Sequence, residues 1–93
     1  MNSQNYRLQV WYSGRVQGVG FRWKAAEIAK GYDVCGYVEN LDDGRVRLCA
    51  KGEKGEVRAF ADRLAESMAD FIRSSEERED FCDSKFSGFT IRA

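Results

Sequence analysis

A glycine-rich run near the start of the chain carries residue types that can hold an anion. The run is Gly14-Arg15-Val16-Gln17-Gly18-Val19-Gly20-Phe21-Arg22, between an alternating apolar stretch and an amphipathic one. Glycines let the backbone curl with positive φ, so that successive amide N–H groups can point into one concavity. Arg22 adds a planar, permanently charged fork that matches phosphate oxygens. The order strand, glycine loop, helix therefore favours a phosphate site, although a tight connection uses the same residues.

A second segment, Gly36-Tyr37-Val38-Glu39-Asn40, ends in a side chain that could act on the same anion. Asn40 precedes Asp42-Asp43-Gly44, which is typical of a hairpin turn. A carboxamide can accept a hydrogen from water and so orient it without itself titrating. Asparagine is also a common turn residue, so a purely structural role for Asn40 stays open. The two aspartates are interpreted as turn residues rather than as an acid–base pair or metal ligands.

The composition excludes several other kinds of catalytic centre. The 93 residues contain no histidine, which removes histidine-activated serine or cysteine nucleophiles and imidazole metal ligands. Cys35, Cys49 and Cys82 are widely spaced and match no zinc or redox pattern. Because three cysteines cannot form a closed disulfide framework, the sequence predicts free thiols and a cytoplasmic location. No metal and no cofactor are predicted.

The net charge and the length of the chain limit the partners and the domain number that the sequence predicts. Fifteen basic and fifteen acidic side chains leave no net charge to attract nucleic acid or an anionic membrane. No apolar run approaches the length of a membrane span, and the polar start of the chain shows no signal-peptide pattern. The length fits one domain, residues 1–93, with a modest core.

Hydrophobic periodicity predicts the elements that must position the polar residues. Alternation indicates strands, and stripes at a spacing of three and four residues indicate helices. The predicted elements are a strand from Leu8, a helix over 21–32, strands over about 34–41 and 45–50, a helix over 57–68 and a short closing strand at 89–91. Residues 70–75 indicate a strand only weakly, and the charged run 76–80 is interpreted as a solvated loop. The register of residues 70–85 stays open.

This element order predicts a ferredoxin-like βαββαβ sandwich of the α+β class. The two strands joined by the short turn are antiparallel, whereas the helices form crossovers. Right-handed crossovers place both helices on one face of a four- to five-stranded antiparallel sheet. A fold of this kind does not by itself define a function.

The two polar motifs together resemble those of the acylphosphatase family, small enzymes that hydrolyse the mixed anhydride of a carboxylic acid and phosphate. The family signature is Gly-x-Val-Gln-Gly-Val-x-Phe-Arg, followed by Gly-aromatic-Val-x-Asn and an Asp-Gly turn. This chain matches the first pattern over residues 14–22 and the second over residues 36–40. The separation of Arg22 from Asn40 is also that of the family, and the likeness extends over about residues 7–68.

The resemblance implies an activity and a set of site residues. It implies a metal-independent, monomeric enzyme that converts small acyl phosphates to a carboxylate and inorganic phosphate, with phosphate as product and inhibitor. Arg22 and Asn40 are the implied catalytic residues, which bind the phosphoryl group and orient the attacking water. The implied substrate-binding residues are Arg15, Val16, Gln17, Gly18, Val19 and Gly20, with the amide of Arg15 as its expected contact. Because all of these address the phosphoryl end, the sequence predicts little selectivity for the acyl part.

Two other functions remain open at this stage. A ferredoxin-like sheet can bind single-stranded RNA by stacking bases on exposed aromatic residues beside basic ones. Here Trp11, Tyr37, Arg45 and Arg47 could supply that face, although the chain lacks an RNP1-type run. The other alternative is an acylphosphatase-like regulatory domain without activity of its own. An assay of benzoyl phosphate hydrolysis separates the enzyme from both alternatives.

Overall fold

Residues 5–82 and 88–92, which the computed structural model describes, form a five-stranded sheet with two helices packed on one face. The elements are β1 Asn5–Gly14, α1 Phe21–Ala29, β2 Val34–Asn40, β3 Val46–Gly52, α2 Lys54–Ser67, β4 Ile72–Cys82 and β5 Phe89–Arg92. The strand order is β4-β1-β3-β2-β5. The predicted ferredoxin-like α+β class is confirmed. No helix within the described residues is long and apolar enough to cross a membrane.

The core lies between the helices and one face of the sheet, because the strands bury every second residue there. β1 and β3 run antiparallel with Leu8 opposite Ala50 and Val10 opposite Leu48, and all four side chains are buried. Aromatic rings join the layers, with centroid separations of 4.9 Å for Tyr12–Phe21 and 5.4 Å for Phe60–Phe89. Further buried residues of the core are Val38, Val46, Ala25, Ala29, Val57, Ala61, Leu64 and Met68.

The interpretation of residues 76–80 as a solvated loop is wrong, because they lie in the edge strand β4. This strand pairs antiparallel with β1, with a register shift beside Gly14, and Asp80 stands opposite Arg7. Three of its carboxylates, those of Glu77, Glu79 and Asp80, are paired with arginines of neighbouring elements. Arg58 of α2 donates to Glu77 over 2.9 Å and to Glu79 over 2.7 Å. An edge strand keeps one side in water, so it tolerates the charges that a central strand would exclude.

The contacts at β4 lower the pKa of two of its carboxyl groups. Arg7 Nε donates to Asp80 Oδ1 over 2.8 Å, and this bond holds the pKa of Asp80 below its usual value. The pKa of Glu79 is lowered in the same way by the hydroxyl of Tyr6 and by Arg58. The sequence left the register of residues 70–85 open. Pairing with β1 defines this register for residues 72–82, whereas residues 83–85 lie outside the described part of the chain.

The last strand makes the sheet mixed rather than wholly antiparallel. β4 runs opposite to β1, and β1 and β2 both run opposite to β3. β5 reverses the direction of β4 and joins the far edge, so it lies parallel to β2, with Ile91 opposite Val38. The first helix is also shorter than predicted and ends at Ala29. Tyr32 lies beyond the end of this helix. Its ring still packs against the core, with its centroid 6.1 Å from that of the Phe60 ring.

Candidate active site

A small cavity forms where the glycine loop, the start of α1, the end of β2 and the edge strand β5 meet. Its volume is about 190 Å³. The lining residues are Val16, Gly18, Gly20, Phe21, Arg22, Trp23, Asn40 and Ile91. The two motifs that the sequence singled out therefore share one cavity, although they lie on different elements. Among the described residues, Arg22 is the only lining residue whose side chain carries a charge.

The loop over residues 15–20 owes its shape to two glycines and one buried anchor. Gly18 and Gly20 have φ values of 77° and 81°, in the left-handed region that side-chain-bearing residues avoid. A Cβ at either position would meet no atom within 4 Å, so the requirement for glycine is conformational rather than steric. Val16 is fully buried and fixes the loop to the core. Val19 is half-buried and packs against the same core.

The positive end of α1 adjoins the cavity. Gly20 is the N-cap of this nine-residue helix, and its carbonyl accepts the N–H of Lys24 over 2.9 Å. Gly20 provides no capping side chain, and the first turn contains no acidic residue. The first N–H groups of a helix lack intrahelical acceptors and carry partial positive charge. An anion in the cavity can supply the missing acceptor.

Arg22 is held by the backbone of β5 rather than by a carboxylate. Its Nη1 donates to the carbonyl oxygen of Arg92 over 2.9 Å. Within residues 5–82 and 88–92 no acidic side chain forms an ion pair with Arg22. A guanidinium has five N–H donors, so one bond to a carbonyl leaves donors for a bidentate contact. The side chain is thus both oriented and available to an oxyanion.

Asn40 is the last residue of β2 and lies opposite Val46 of β3. The strand alternation puts it on the helix-bearing face, where it lines the cavity with Arg22. Its half-buried carboxamide makes no hydrogen bond to any of the described residues. Such a group retains both its donor and its acceptor capacity for water or ligand.

Gln17 connects the loop to the turn that follows Asn40. Its Nε2 donates to the carbonyl of Leu41 over 2.8 Å and to that of Arg45 over 3.0 Å. These two residues flank the turn over 42–44 and are also joined by a backbone hydrogen bond of 2.8 Å. The side chain of Gln17 therefore positions the hairpin rather than facing the cavity. Sequence reasoning included Gln17 in the loop but did not identify this connection.

The structure does not bring Arg15 to the cavity. Its side chain is exposed and borders a separate depression of about 570 Å³. The other lining residues of that depression are Ser13, Gly14, Asp70, Phe71, Ile72 and Arg73. Of the predicted substrate-binding residues, Val16, Gly18 and Gly20 line the cavity together with Arg22 and Asn40, whereas Gln17 and Val19 support it from behind.

Two lining residues were missed by sequence reasoning. Trp23 directly follows Arg22 in the first turn of α1, and Ile91 reaches the cavity from β5. The position of Trp23 next to Arg22 was a usable signal, because neither falls on the apolar stripe of the helix. Ile91 had no such signal, since its place depends on pairing between β5 and a strand about fifty residues earlier.

The opposite face of the sheet, which could have bound RNA, is occupied by ion pairs. The guanidinium of Arg92 lies 3.5 Å from the centroid of the Tyr37 ring, and that of Arg47 lies 5.8 Å away. Arg47 is itself bonded to Glu39 over 2.7 Å. Stacking of a base would require that ring face.

Neither the cysteines nor a metal cluster adds a second centre within residues 5–82 and 88–92. Cys35, Cys49 and Cys82 are not joined in disulfides, and none of them lines the cavity. Burial raises the pKa of the Cys49 thiol, which disfavours the nucleophilic thiolate. The same residues contain no group of three or more His, Cys, Asp or Glu side chains that could hold a metal ion.

The fold is an α+β sandwich, with a cavity that contains Arg22 and Asn40 at the start of its first helix. The chain belongs to the acylphosphatase family, whose model, described as Acylphosphatase, matches residues 8–91. It is 34% identical to an acylphosphatase from Thermotoga petrophila over 85 residues, which are 91% of this chain and 94% of that protein. The acylphosphatase predicted from the two motifs is thereby confirmed as the family.

Solved structures agree with this assignment. The crystal structure of acylphosphatase from Bacillus subtilis has a TM-score of 0.79 at 28% identity and covers 97% of this chain and 99% of that chain. The structure of T. kodakarensis HypF has a TM-score of 0.75 at 27% identity. That match covers 96% of this chain but 12% of HypF, so the same fold also occurs within a much longer protein.

Proposed function

We propose that the protein hydrolyses small acyl phosphates to a carboxylate and inorganic phosphate. The observation that carries this proposal is the shared cavity, which combines Arg22, Asn40 and the two left-handed glycines at the N-terminus of α1. Hydrolysis of a phosphoryl group depends on positioning and charge stabilisation more than on covalent chemistry from the protein. The parts present in the cavity supply both.

In the proposed mechanism the loop and Arg22 hold the phosphoryl oxygens of the substrate. The loop amides and the helix N-terminus stabilise the negative charge, and the guanidinium provides a bidentate contact. Asn40 accepts one hydrogen of a water molecule, which directs the lone pair of that water toward phosphorus.

The chemical step then needs no titrating side chain. The water oxygen forms a bond to phosphorus, while the bond from phosphorus to the bridging acyl oxygen breaks and releases the carboxylate. The proton of the attacking water passes to a phosphate oxygen of the substrate. Because a carboxylate is a good leaving group, a strong general acid is dispensable. This agrees with the cavity lining, in which Arg22 has the only charged side chain among residues 5–82 and 88–92.

The activity is tested by comparing benzoyl phosphate, acetyl phosphate and a phosphate monoester as substrates in excess EDTA. We expect turnover of both acyl phosphates, unchanged by EDTA, and little or none of the monoester, whose alkoxide is a poor leaving group. A blank without enzyme corrects for spontaneous hydrolysis of the anhydrides. Activity that disappears with EDTA, or a preference for the monoester, contradicts the proposal.

Inorganic phosphate and sulfate are expected to bind the same cavity and raise the melting temperature. A ligand that binds only the folded state adds RT ln(1 + [L]/Kd), about 1.4 kcal/mol at ten times Kd. For a domain of this size that corresponds to a rise of about 6–11 °C. Thermal unfolding followed by circular dichroism, with and without phosphate, measures the shift.

The control is a second arginine with the same charge outside the cavity. Arg63 lies on α2, with its side chain 59% exposed. We expect Arg22→Ala to erase the phosphate-induced shift and Arg63→Ala to retain it. Equal stabilisation of both variants would place the anion elsewhere on the surface.

A further inference from the structure

Two exposed apolar side chains converge on the cavity. Trp23 is 60% exposed and Ile91 is 45% exposed, and both line the cavity that contains Arg22 and Asn40. Within the described residues, the one other large hydrophobic side chain exposed to this degree is Phe81, at 61%, on the edge strand β4. Single exposed apolar residues need no explanation, but adjacent ones at a polar cavity indicate a binding surface.

The size of the cavity places a substrate's acyl group against this pair. Pockets that enclose a drug-sized ligand measure roughly 300–1,000 Å³, whereas this cavity measures about 190 Å³. A cavity below that range can hold the phosphoryl group against the loop and Arg22, but it does not enclose a whole substrate of that size. The rest of the molecule must then lie at the rim, and the exposure of Trp23 and Ile91 places these two side chains there.

The two residues reach the rim of the cavity from different elements of the fold. Trp23 lies in the first turn of α1, and the Lys24 ammonium lies 5.8 Å from the centroid of its ring. Ile91 lies in β5 opposite Val38 of β2. Such a pair can contact an acyl chain or an aromatic acyl ring from two sides without any change in the core.

We propose that Trp23 and Ile91 form an apolar subsite for the acyl group, so that the preferred substrates are acyl phosphates with an aromatic or medium-length aliphatic acyl part. This inference rests on the proposed function and deepens it. It also changes the expectation from the motifs alone, which contain no residue that addresses the acyl end.

The contact is expected to act on KM rather than on kcat. The subsite lies away from the breaking bond between phosphorus and oxygen, so it stabilises the bound substrate and the transition state alike. Removing about 40–60 Å² of apolar surface from water corresponds to about a fivefold to tenfold gain in affinity. The expected KM for a substrate that reaches the subsite is lower by this factor.

The experiment compares hexanoyl phosphate with acetyl phosphate. Both release an unbranched aliphatic carboxylate of nearly the same basicity, so their intrinsic reactivities are matched. For the wild-type protein we expect a KM for hexanoyl phosphate about fivefold to tenfold lower, with kcat within about twofold. Trp23→Ala and Ile91→Ala are each expected to bring the two KM values closer together, by raising the KM for hexanoyl phosphate more than that for acetyl phosphate.

Phe81→Ala is the matched control, because it removes an equally exposed aromatic side chain that does not line the cavity. This variant is expected to keep the wild-type KM ratio. Equal KM values for the two substrates in the wild-type protein overturn the subsite, as does an equal loss of the ratio in Phe81→Ala. If neither substrate is hydrolysed above the blank, the proposed function itself fails together with the subsite, and this result is distinct from hydrolysis without selectivity.

Discussion

Replacing Arg22 by alanine is expected to abolish hydrolysis of benzoyl phosphate, with a loss of roughly 10³–10⁵ in kcat, the range that an arginine supplies in phosphoryl transfer. In the part of the chain that the structure describes, no other charged side chain lines the cavity, so none there can replace the contact of Arg22 with the phosphoryl oxygens. Folding should survive, because the one hydrogen bond of the Arg22 side chain to the described residues is to an exposed backbone carbonyl on β5. Steady-state kinetics and thermal unfolding measure the two properties separately.

Two further variants test whether the effect depends on the guanidinium group and on its position in the cavity. Arg22→Lys keeps the charge but loses the planar fork, so it should recover a small part of the activity. Arg63→Ala removes the same charge from the exposed face of α2 and should retain wild-type kinetics. Substantial activity in Arg22→Ala, or an equal loss in Arg63→Ala, would mean that the cavity is not where the phosphoryl group binds.

Asn40→Ala is expected to lower kcat for benzoyl phosphate by roughly 10²–10³, the usual cost of removing one preorganised polar group at a reacting centre. In the proposed mechanism Asn40 directs the water rather than binding the substrate, so KM should change little. The side chain makes no hydrogen bond to the described residues, and its loss leaves no partner there unsatisfied. Cooperative unfolding at nearly the wild-type temperature is therefore expected.

The chain offers a matched control in Asn5, which lies at the start of β1 and does not line the cavity. Asn5→Ala should retain wild-type turnover. An Asn40→Ala protein that keeps near-normal kcat would refute the role of Asn40 in orienting water. A loss confined to KM would assign it to substrate binding instead.

The elements around the core could be predicted from local pattern, because burial imposes a period on the sequence. β1 alternates along its buried face, and α2 keeps its stripe from Val57 to Met68. The charged strand β4 could not be predicted in this way. Most of its side chains are exposed, so they show no alternation of apolar and polar residues. The position of the strand follows from its pairing with β1 and from partners such as Arg58.

The site was predictable to the extent that it is encoded in contiguous motifs. The glycine loop, Arg22 and Asn40 lie on two short segments, and the chain topology brings them together as expected from the fold. The rest depends on distant pairing. Ile91 reaches the rim through the parallel strand β5, whose direction follows from the reversal after β4. No local rule reveals such a neighbour.

Gln17 couples the two halves of the cavity. Its carboxamide bonds carbonyls 24 and 28 positions further along the chain, on both sides of the β2–β3 turn. Local opening of the loop breaks both bonds, which leaves the turn beside Asn40 with its own internal hydrogen bonds alone. Part of the opening free energy is therefore common to the loop and to the end of the strand. The population that holds phosphate but fails to direct water is correspondingly smaller than it would be for two independent segments.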